Sequence, residues 1–469
     1  MSELNFVLRT VPTLDDDVRS MLQLLDQPQT VYGEDNAIRR ERLLELISNS
    51  TTIQEKYVDI IENGQTAKDG IDKNLDNLSY DGMMDDVEAG EEEEEEEEED
   101  EDFYTPGSEA LYDTRVKIAN FSIAESRKRL EKQYLKWKSY KEEEILSERR
   151  NYYEKLGNIS LEGSQLVSDR YISTVKYNNN LIACGSWDGK VYLMNSQLEI
   201  LDSIQGLDNN NQSGSEKIGS LDWCENKIAF GNADGVINIA NVIFEDNKFG
   251  NLITLKGHLS RVMSTRFHPM GNLLISASSD MTWRLWDLNK KEELYYQEGH
   301  TAGVNAIDVH PDGSLLASGG ADALVKLWDL RTGKQLPELN KRNENTGHIR
   351  SVQSLKWREN GYHLLSGGAD SNLVVWDIRM MKAISTIPAH TKMITDIKIL
   401  PGDLAIATTG YDGCVTISEC DSWRVRKRIL TGVSEKIMAI DAFNFEGELN
   451  IVTGGWDRGV KFYAVNNIN

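Results

Sequence analysis

His300, Ser318 and Asp322 are the three residue types of a nucleophilic triad, in which an imidazole takes the proton of a serine hydroxyl and a carboxylate orients the imidazole. The same types recur at His258, Ser276 and Asp280 and at His348, Ser366 and Asp370, with the same spacing. Catalysis needs one such set, so three in register point to a structural role. Other chemistry is equally absent from the pattern. There is no P-loop, HExxH or metal-ligand spacing. The four cysteines, Cys184, Cys224, Cys414 and Cys420, form no CxxC and no disulfide framework. A chain that is not an enzyme, with no cofactor or metal, is expected.

A second set of residues suits binding. Arg127, Lys128, Arg129, Lys132, Lys136, Lys138 and Lys141 cluster together, opposed by Glu131 alone, with Tyr134, Trp137 and Tyr140 between them. Cations neutralise phosphates and aromatic faces stack on unpaired bases, so the set is a candidate RNA contact that includes Trp137. An amphipathic helix docked on protein, with solvated lysines, fits the same residues. The element holding them is a helix over 108–157, with Leu130, Tyr134, Trp137, Ile145 and Tyr152 roughly on one face.

The 469 residues carry a net charge of -25, but the sign changes along the chain. Residues 85–102 hold 15 acidic groups and no basic one, including Glu91 to Glu99. Residues 103–164 are net +2 and residues 165–469 net -4. Four parts are expected: a helical motif (1–50), an acidic disordered linker (51–107), the basic helix (108–157) and a large repeat domain (158–469). The linker is either a solvated spacer or a decoy for nucleic-acid charge. No run of about 18 apolar residues is present, so no membrane span is expected. The N-terminus lacks a signal-peptide pattern, and an intracellular, reducing compartment fits.

Residues 158–469 repeat around Asp188, Asp234, Asp280, Asp322, Asp370, Asp412 and Asp457, with gaps of 42 to 48 residues. That period, with short apolar runs on both sides of each aspartate, signals a seven-bladed β-propeller. Too few residues follow Tyr463 for a last outer strand. A ring must hide its edges, so residues near 157–163 are predicted to close the final blade.

Three repeats carry Gly-His upstream and Trp-Asp downstream (Gly257-His258 with Trp286-Asp287, Gly299-His300 with Trp328-Asp329, Gly347-His348 with Trp376-Asp377). They resemble the WD40 family. The resemblance implies that His, Ser, Asp and Trp form a hydrogen-bonded chain within a blade, as His300, Ser318, Asp322 and Trp328 would. The position before the turn aspartate reads Trp187, Ala233, Ser279, Ala321, Ala369, Tyr411 and Trp456. Its three aromatics fall in blades 6, 7 and 1, which closure makes neighbours. With Arg458, Lys392 and Arg350 beside them they form a candidate partner-binding rim, although filling of blades that lack the tetrad Trp also explains them. Arg261 and Arg284 suggest a second basic spot.

WD repeats alone denote a scaffold. Residues 18–47 add discrimination: Arg19, Leu22, Leu25, Pro28, Thr30, Tyr32, Gly33, Glu34, Arg39, Arg40, Arg42 and Leu43. They predict a helix ending near Pro28, a turn at Gly33 and a second helix from about Asn36. The segment resembles the splicing-factor motif, and motif plus propeller resembles the WD40 splicing factors of the U4/U6 small nuclear ribonucleoprotein (snRNP). That resemblance implies a nuclear, non-catalytic component of the U4/U6 snRNP and the U4/U6·U5 tri-snRNP. The propeller would hold an RNA-contacting U4/U6 protein, the N-terminal segments would lie at or near U4 and U6 snRNA, and a cyclophilin is a further partner. The rival is a WD40 substrate receptor or chromatin-peptide scaffold using the aromatic rim. A signalling β-subunit would need a sustained coiled-coil heptad that residues 108–157 do not keep.

Overall fold

The computed structural model describes residues 15–25, 27–28, 36–49, 56, 108–139, 141–207, 217–337, 339, 347–431, 436–445 and 448–465. The acidic run and Tyr32, Gly33 and Glu34 lie outside the described residues. The chain divides into two compact units, Met1–Asp102 and Phe103–Asn469.

In the first unit, α1 (Asp15–Leu24) stops before Pro28, which disfavours helix in the residue ahead of it, and α2 (Asn36–Asn49) follows. Val18 and Leu22 share one face of α1, with Leu25 just past its end, and Leu43 and Ile47 share one face of α2. These five are buried together, at roughly 2 kcal/mol of burial each. Arg42 donates to the Pro28 carbonyl at 2.9 Å, tying α2 to the end of α1. Arg39 is buried, while Arg19 and Arg40 are half-buried.

The second unit is a ring of seven antiparallel sheets. The innermost strands are Ile172–Asn178, Ile218–Cys224, Val262–Phe267, Val304–Val309, Val352–Trp357, Ile394–Ile399 and Ile437–Phe445, numbered here as blades 1 to 7. Second strands such as Leu273–Ser278 are buried throughout, so they read as apolar and small residues without alternation. Small residues are needed there because the next blade presses close. A Cβ on Gly231 would meet Val262 at 2.5 Å, and one on Gly319 would meet Val352 at 2.6 Å. Ile159–Leu166 pairs antiparallel with Gly459–Val465 and supplies the outer strand of blade 7, as the edge argument requires. Blade 4 has three strands and a single further bridge, Trp328 to Gln335, among the described residues.

Two polar devices hold this ring. The first is the chain of four side chains in blade 4: His300 Nδ1 lies 2.9 Å from Asp322, its Nε2 lies 2.7 Å from Ser318 Oγ, and Trp328 Nε1 donates to the same Oγ at 2.8 Å. Blades 3 and 5 repeat it through His258, Ser276, Asp280 and Trp286 and through His348, Ser366, Asp370 and Trp376. In blade 6, His390 bridges Asp412 and Thr408, and Ser418 stands where the Trp would be. Buried polar groups must be paired, and each chain pairs four at once.

The second device lines the channel. The fifth residue of every innermost strand is charged: Lys176, Asp222, Arg266, Asp308, Lys356, Lys398 and Asp441. Arg266 bridges Asp222 (3.4 Å) and Asp308 (3.1 Å), Lys356 reaches Asp308 (2.9 Å), and Lys398 pairs with Asp441. Each carboxylate also accepts a backbone N–H from the next blade: Phe267, Trp357 and Tyr177. Lys176 has no carboxylate at ion-pair distance among the described residues, and burial draws its pKa down to about 8.

The single helix expected over 108–157 is two, α3 (Glu109–Lys138) and α4 (Glu142–Gly157). The second begins at Glu142, with Lys141 at its N-cap. Both pack on the ring face formed by the turns after the first and third strands of each blade. There α3 crosses blades 3 to 5 through Arg115, Phe121 and Arg129, and α4 reaches blade 6. The face of α3 turned inward carries Leu111, Thr114, Ile118 and Ser122. Leu130, Tyr134 and Trp137, the residues whose spacing suggested a common face, point to solvent and are 57% to 73% exposed. Tyr152, grouped with them, instead donates to Pro401 O at 2.9 Å.

Candidate functional site, the aromatic face of the ring

The opposite ring face is built by a backbone bond repeated seven times. The residue before each turn aspartate donates its N–H to the carbonyl of the residue before the innermost strand of its own blade: Trp187 to Tyr171, Ala233 to Lys217, Ser279 to Arg261, Ala321 to Gly303, Ala369 to Ser351, Tyr411 to Met393 and Trp456 to Lys436. Two side chains per blade are thereby set side by side around the channel. In blades 6, 7, 1, 2 and 3 these are mostly aromatic or cationic.

The aromatics touch. Tyr171 stacks on Trp456 with centroids 4.5 Å apart and meets Trp187 edge-on at 5.6 Å. Trp187 and Trp456 are 6.3 Å apart, and Tyr411 lies 6.4 Å from Trp456. The three predicted rim aromatics therefore form one cluster, joined by Tyr171. The cations over their rings are Lys217 (4.7 Å from the Trp187 centroid), Arg261 (5.7 Å) and Lys436 (3.9 Å from Trp456). Arg458, Lys392 and Arg350 lie exposed on this face without such a contact among the described residues. Arg261 joins the cluster, while Arg284 pairs with Glu293 between the outer strands of blade 3.

Between these residues the channel opens into a cavity of about 320 Å³, lined by Trp187, Arg261, Tyr411 and the inner strands down to Lys176. Burial lowers the Arg261 pKa and raises that of Tyr411. Tyr171, Lys217 and Lys436 were not predicted from sequence. Reading the position before each innermost strand, as well as the position before each aspartate, would have found them.

On α3 the predicted RNA-contact set divides. Arg129 is committed to the ring, with a two-pronged ion pair to Asp312 (2.6 Å at the shortest) and a bond to Asn360 O. This removes it from the exposed set, because the same guanidinium cannot meet a phosphate. Arg127, Lys128, Lys132, Lys136, Trp137 and Lys138 are exposed.

Over 467 residues the chain is 38% identical to "U4/U6 small nuclear ribonucleoprotein PRP4" of Saccharomyces cerevisiae, an alignment covering 98% of this chain and 92% of that protein. The chain belongs to the PRP4 family. A family profile described as pre-mRNA processing factor 4 (PRP4) like matches residues 18–46, which span most of α1 and most of α2. A second profile, for the N-terminal domain of nucleolar protein 10-like proteins, matches residues 260–402 within the ring. A PRP4-like protein of Arabidopsis thaliana is 31% identical over 276 residues, 59% of this chain and 37% of that one. The U4/U6 small nuclear ribonucleoprotein Prp4 of Bos taurus is 31% identical over 203 residues, 43% of this chain and 34% of that one.

Proposed function

We propose that the chain is a nuclear, non-catalytic pre-mRNA splicing factor, a component of the U4/U6 snRNP and the U4/U6·U5 tri-snRNP. The observation that carries this is the near full-length identity to a U4/U6 snRNP protein, with the 18–46 motif and the ring in one chain. In this reading the aromatic face holds a U4/U6 protein partner, since clustered Trp and Tyr with cations are what interface hot spots use. The N-terminal segments and the exposed basic edge of α3 lie toward U4 and U6 snRNA, and a cyclophilin is a further partner of the N-terminal part. A scaffold rather than an enzyme is supported by the triad-like serines. Ser276, Ser318 and Ser366 are fully buried and already bonded to both a His and a Trp. The test is gradient sedimentation of nuclear extract containing the tagged chain. Co-migration with U4 and U6 RNAs is expected; a chain sedimenting free of both would leave a WD40 peptide receptor as the better reading.

A further inference from the structure

A subset of the ring's cations is held in ion pairs. Arg266, Arg284, Arg331, Arg358, Arg379, Lys356, Lys398 and Lys461 each hold a carboxylate. The cations at the mouth of the channel on the aromatic face, and Lys176 on the channel wall below them, differ. Among the described residues, Lys176, Lys217, Arg261 and Lys436 have no carboxylate at ion-pair distance, and Arg261, half-buried, has no acceptor on its Nε. Around the same cavity the hydroxyls of Thr174, Ser220 and Thr265 lack hydrogen-bond partners, although Ser220 and Thr265 are 5% and 0% exposed. Buried hydroxyls without partners are uncommon, and a mouth rich in donors and poor in free acceptors calls for an anion.

We infer that this mouth is a carboxylate site, taking one aspartate or glutamate side chain from an extended acidic segment of a protein partner. The inference rests on the reading of the aromatic face as the partner surface, and deepens it. Three observations favour a carboxylate side chain over an RNA backbone. The cations converge on one opening instead of forming the row that successive phosphates need. The cavity, about 320 Å³, admits a side chain and not a helix. Asp396 lines the same cavity, and Asp396 and Asp441 both act on Lys176, so the site opposes a second negative charge. Arg261 would grip the carboxylate in the two-pronged manner of guanidinium pairs, Lys176 would face it from below, and Trp187 and Tyr411 would wall the peptide.

The test measures fluorescein-labelled hexaglutamate, hexaglutamine and hexauridylate binding to the full chain by anisotropy. Hexaglutamate should bind at least tenfold tighter than hexaglutamine. Arg261→Met and Lys176→Met should each remove roughly tenfold of that affinity, and Lys217→Met, on the exposed rim where folding is not at stake, about threefold. Equal binding of the two peptides, or no effect of these variants with a native circular dichroism spectrum, would overturn the inference. So would displacement by an equal concentration of hexauridylate, which would assign the mouth to RNA. Deleting residues 85–102 should leave the affinity unchanged; a tenfold gain would assign the mouth to the chain's own acidic run. Retention of U4/U6 proteins is measured in parallel on Trp187→Ala/Trp456→Ala. If retention is lost there while hexaglutamate shows no selectivity, the face reading stands and the carboxylate site falls.

Discussion

Lys436 and Trp456 are joined twice: the Trp456 N–H donates to the Lys436 carbonyl at 2.9 Å, and the lysine ammonium sits 3.9 Å from the centroid of that indole ring. The backbone bond belongs to all seven blades and the cation–π contact to this one, so a general device of the ring sets a particular surface.

Trp456→Ala removes a ring that touches Tyr171, Trp187, Tyr411 and Lys436. Partner affinity should drop by about 2 kcal/mol or more, as for a central hot spot. Because the indole is half-buried on a face and not in a blade core, melting temperature should change little. Calorimetric titration with the U4/U6 protein partner and a melt of the free chain read the two effects separately.

Arg129→Ala leaves Asp312, which is 6% exposed at its side chain, without its strongest partner. A stability loss of about 2 kcal/mol is expected, together with faster proteolysis within α3. Asp312→Asn should cost a similar amount, and the double variant less than the sum, because one contact is removed twice. Additive losses in urea melts would refute the coupling.

The ring was legible because its signals are periodic. Seven aspartates mark seven turns, and the need to hide the ring's edge pointed to a closing strand near 157–163, where the structure has Ile159–Leu166. The tetrads followed from fixed spacings. The orientation of α3 was not legible. Apolar spacing at Leu130, Tyr134 and Trp137 suggested a docked face, whereas the ring offers Asp312 and the Asn360 carbonyl there, and Arg129 and Gln133 answer them. Helical periodicity finds an apolar face; it cannot tell which partner groups await the helix.

Lys398→Met should be among the most damaging channel substitutions. It leaves the Asp441 carboxylate buried with its ammonium partner gone, and loss of one partner of a buried pair costs about 3–5 kcal/mol. Lys398→Met with Asp441→Asn should recover much of that. Chemical denaturation of both variants checks the ordering.

Acid should weaken the ring in two stages. Burial lowers the pKa values of His268 and His310, against the pull of their bonds to Gly313 O and Gly361 O, and takes that of His363 to about 4 with help from Arg358. Below about pH 6.5 the unfolded chain then binds protons that the folded chain does not, so stability falls as pH drops from about 6.5 to 4. Burial opposes ionisation of Asp412, but bonds from His390 and two backbone N–H groups outweigh it and hold the pKa at about 2. The stability from that ionised carboxylate is complete above about pH 4 and lost as pH falls toward 2. Melting temperatures from pH 7.5 to about 2 should show both stages, and His363→Gln should flatten the first.

If the exposed edge of α3 meets RNA, salt dependence will report it. Neutralising Lys132, Lys136 and Lys138 together should reduce the log–log salt slope of binding to single-stranded U4 RNA by about 0.7 per phosphate contact removed. An unchanged slope would assign that edge to protein.

The most direct measurement is recovery of the intact chain from nuclear extract with its bound RNA sequenced and its proteins identified, repeated without residues 1–107 and with Trp187→Ala/Trp456→Ala. The account predicts enrichment of U4 and U6 RNAs by the intact chain, reduced RNA with retained protein after the deletion, and loss of the U4/U6 protein partner from the double variant. Recovery without small nuclear RNA, with ubiquitin-ligase or chromatin proteins in its place, would contradict it.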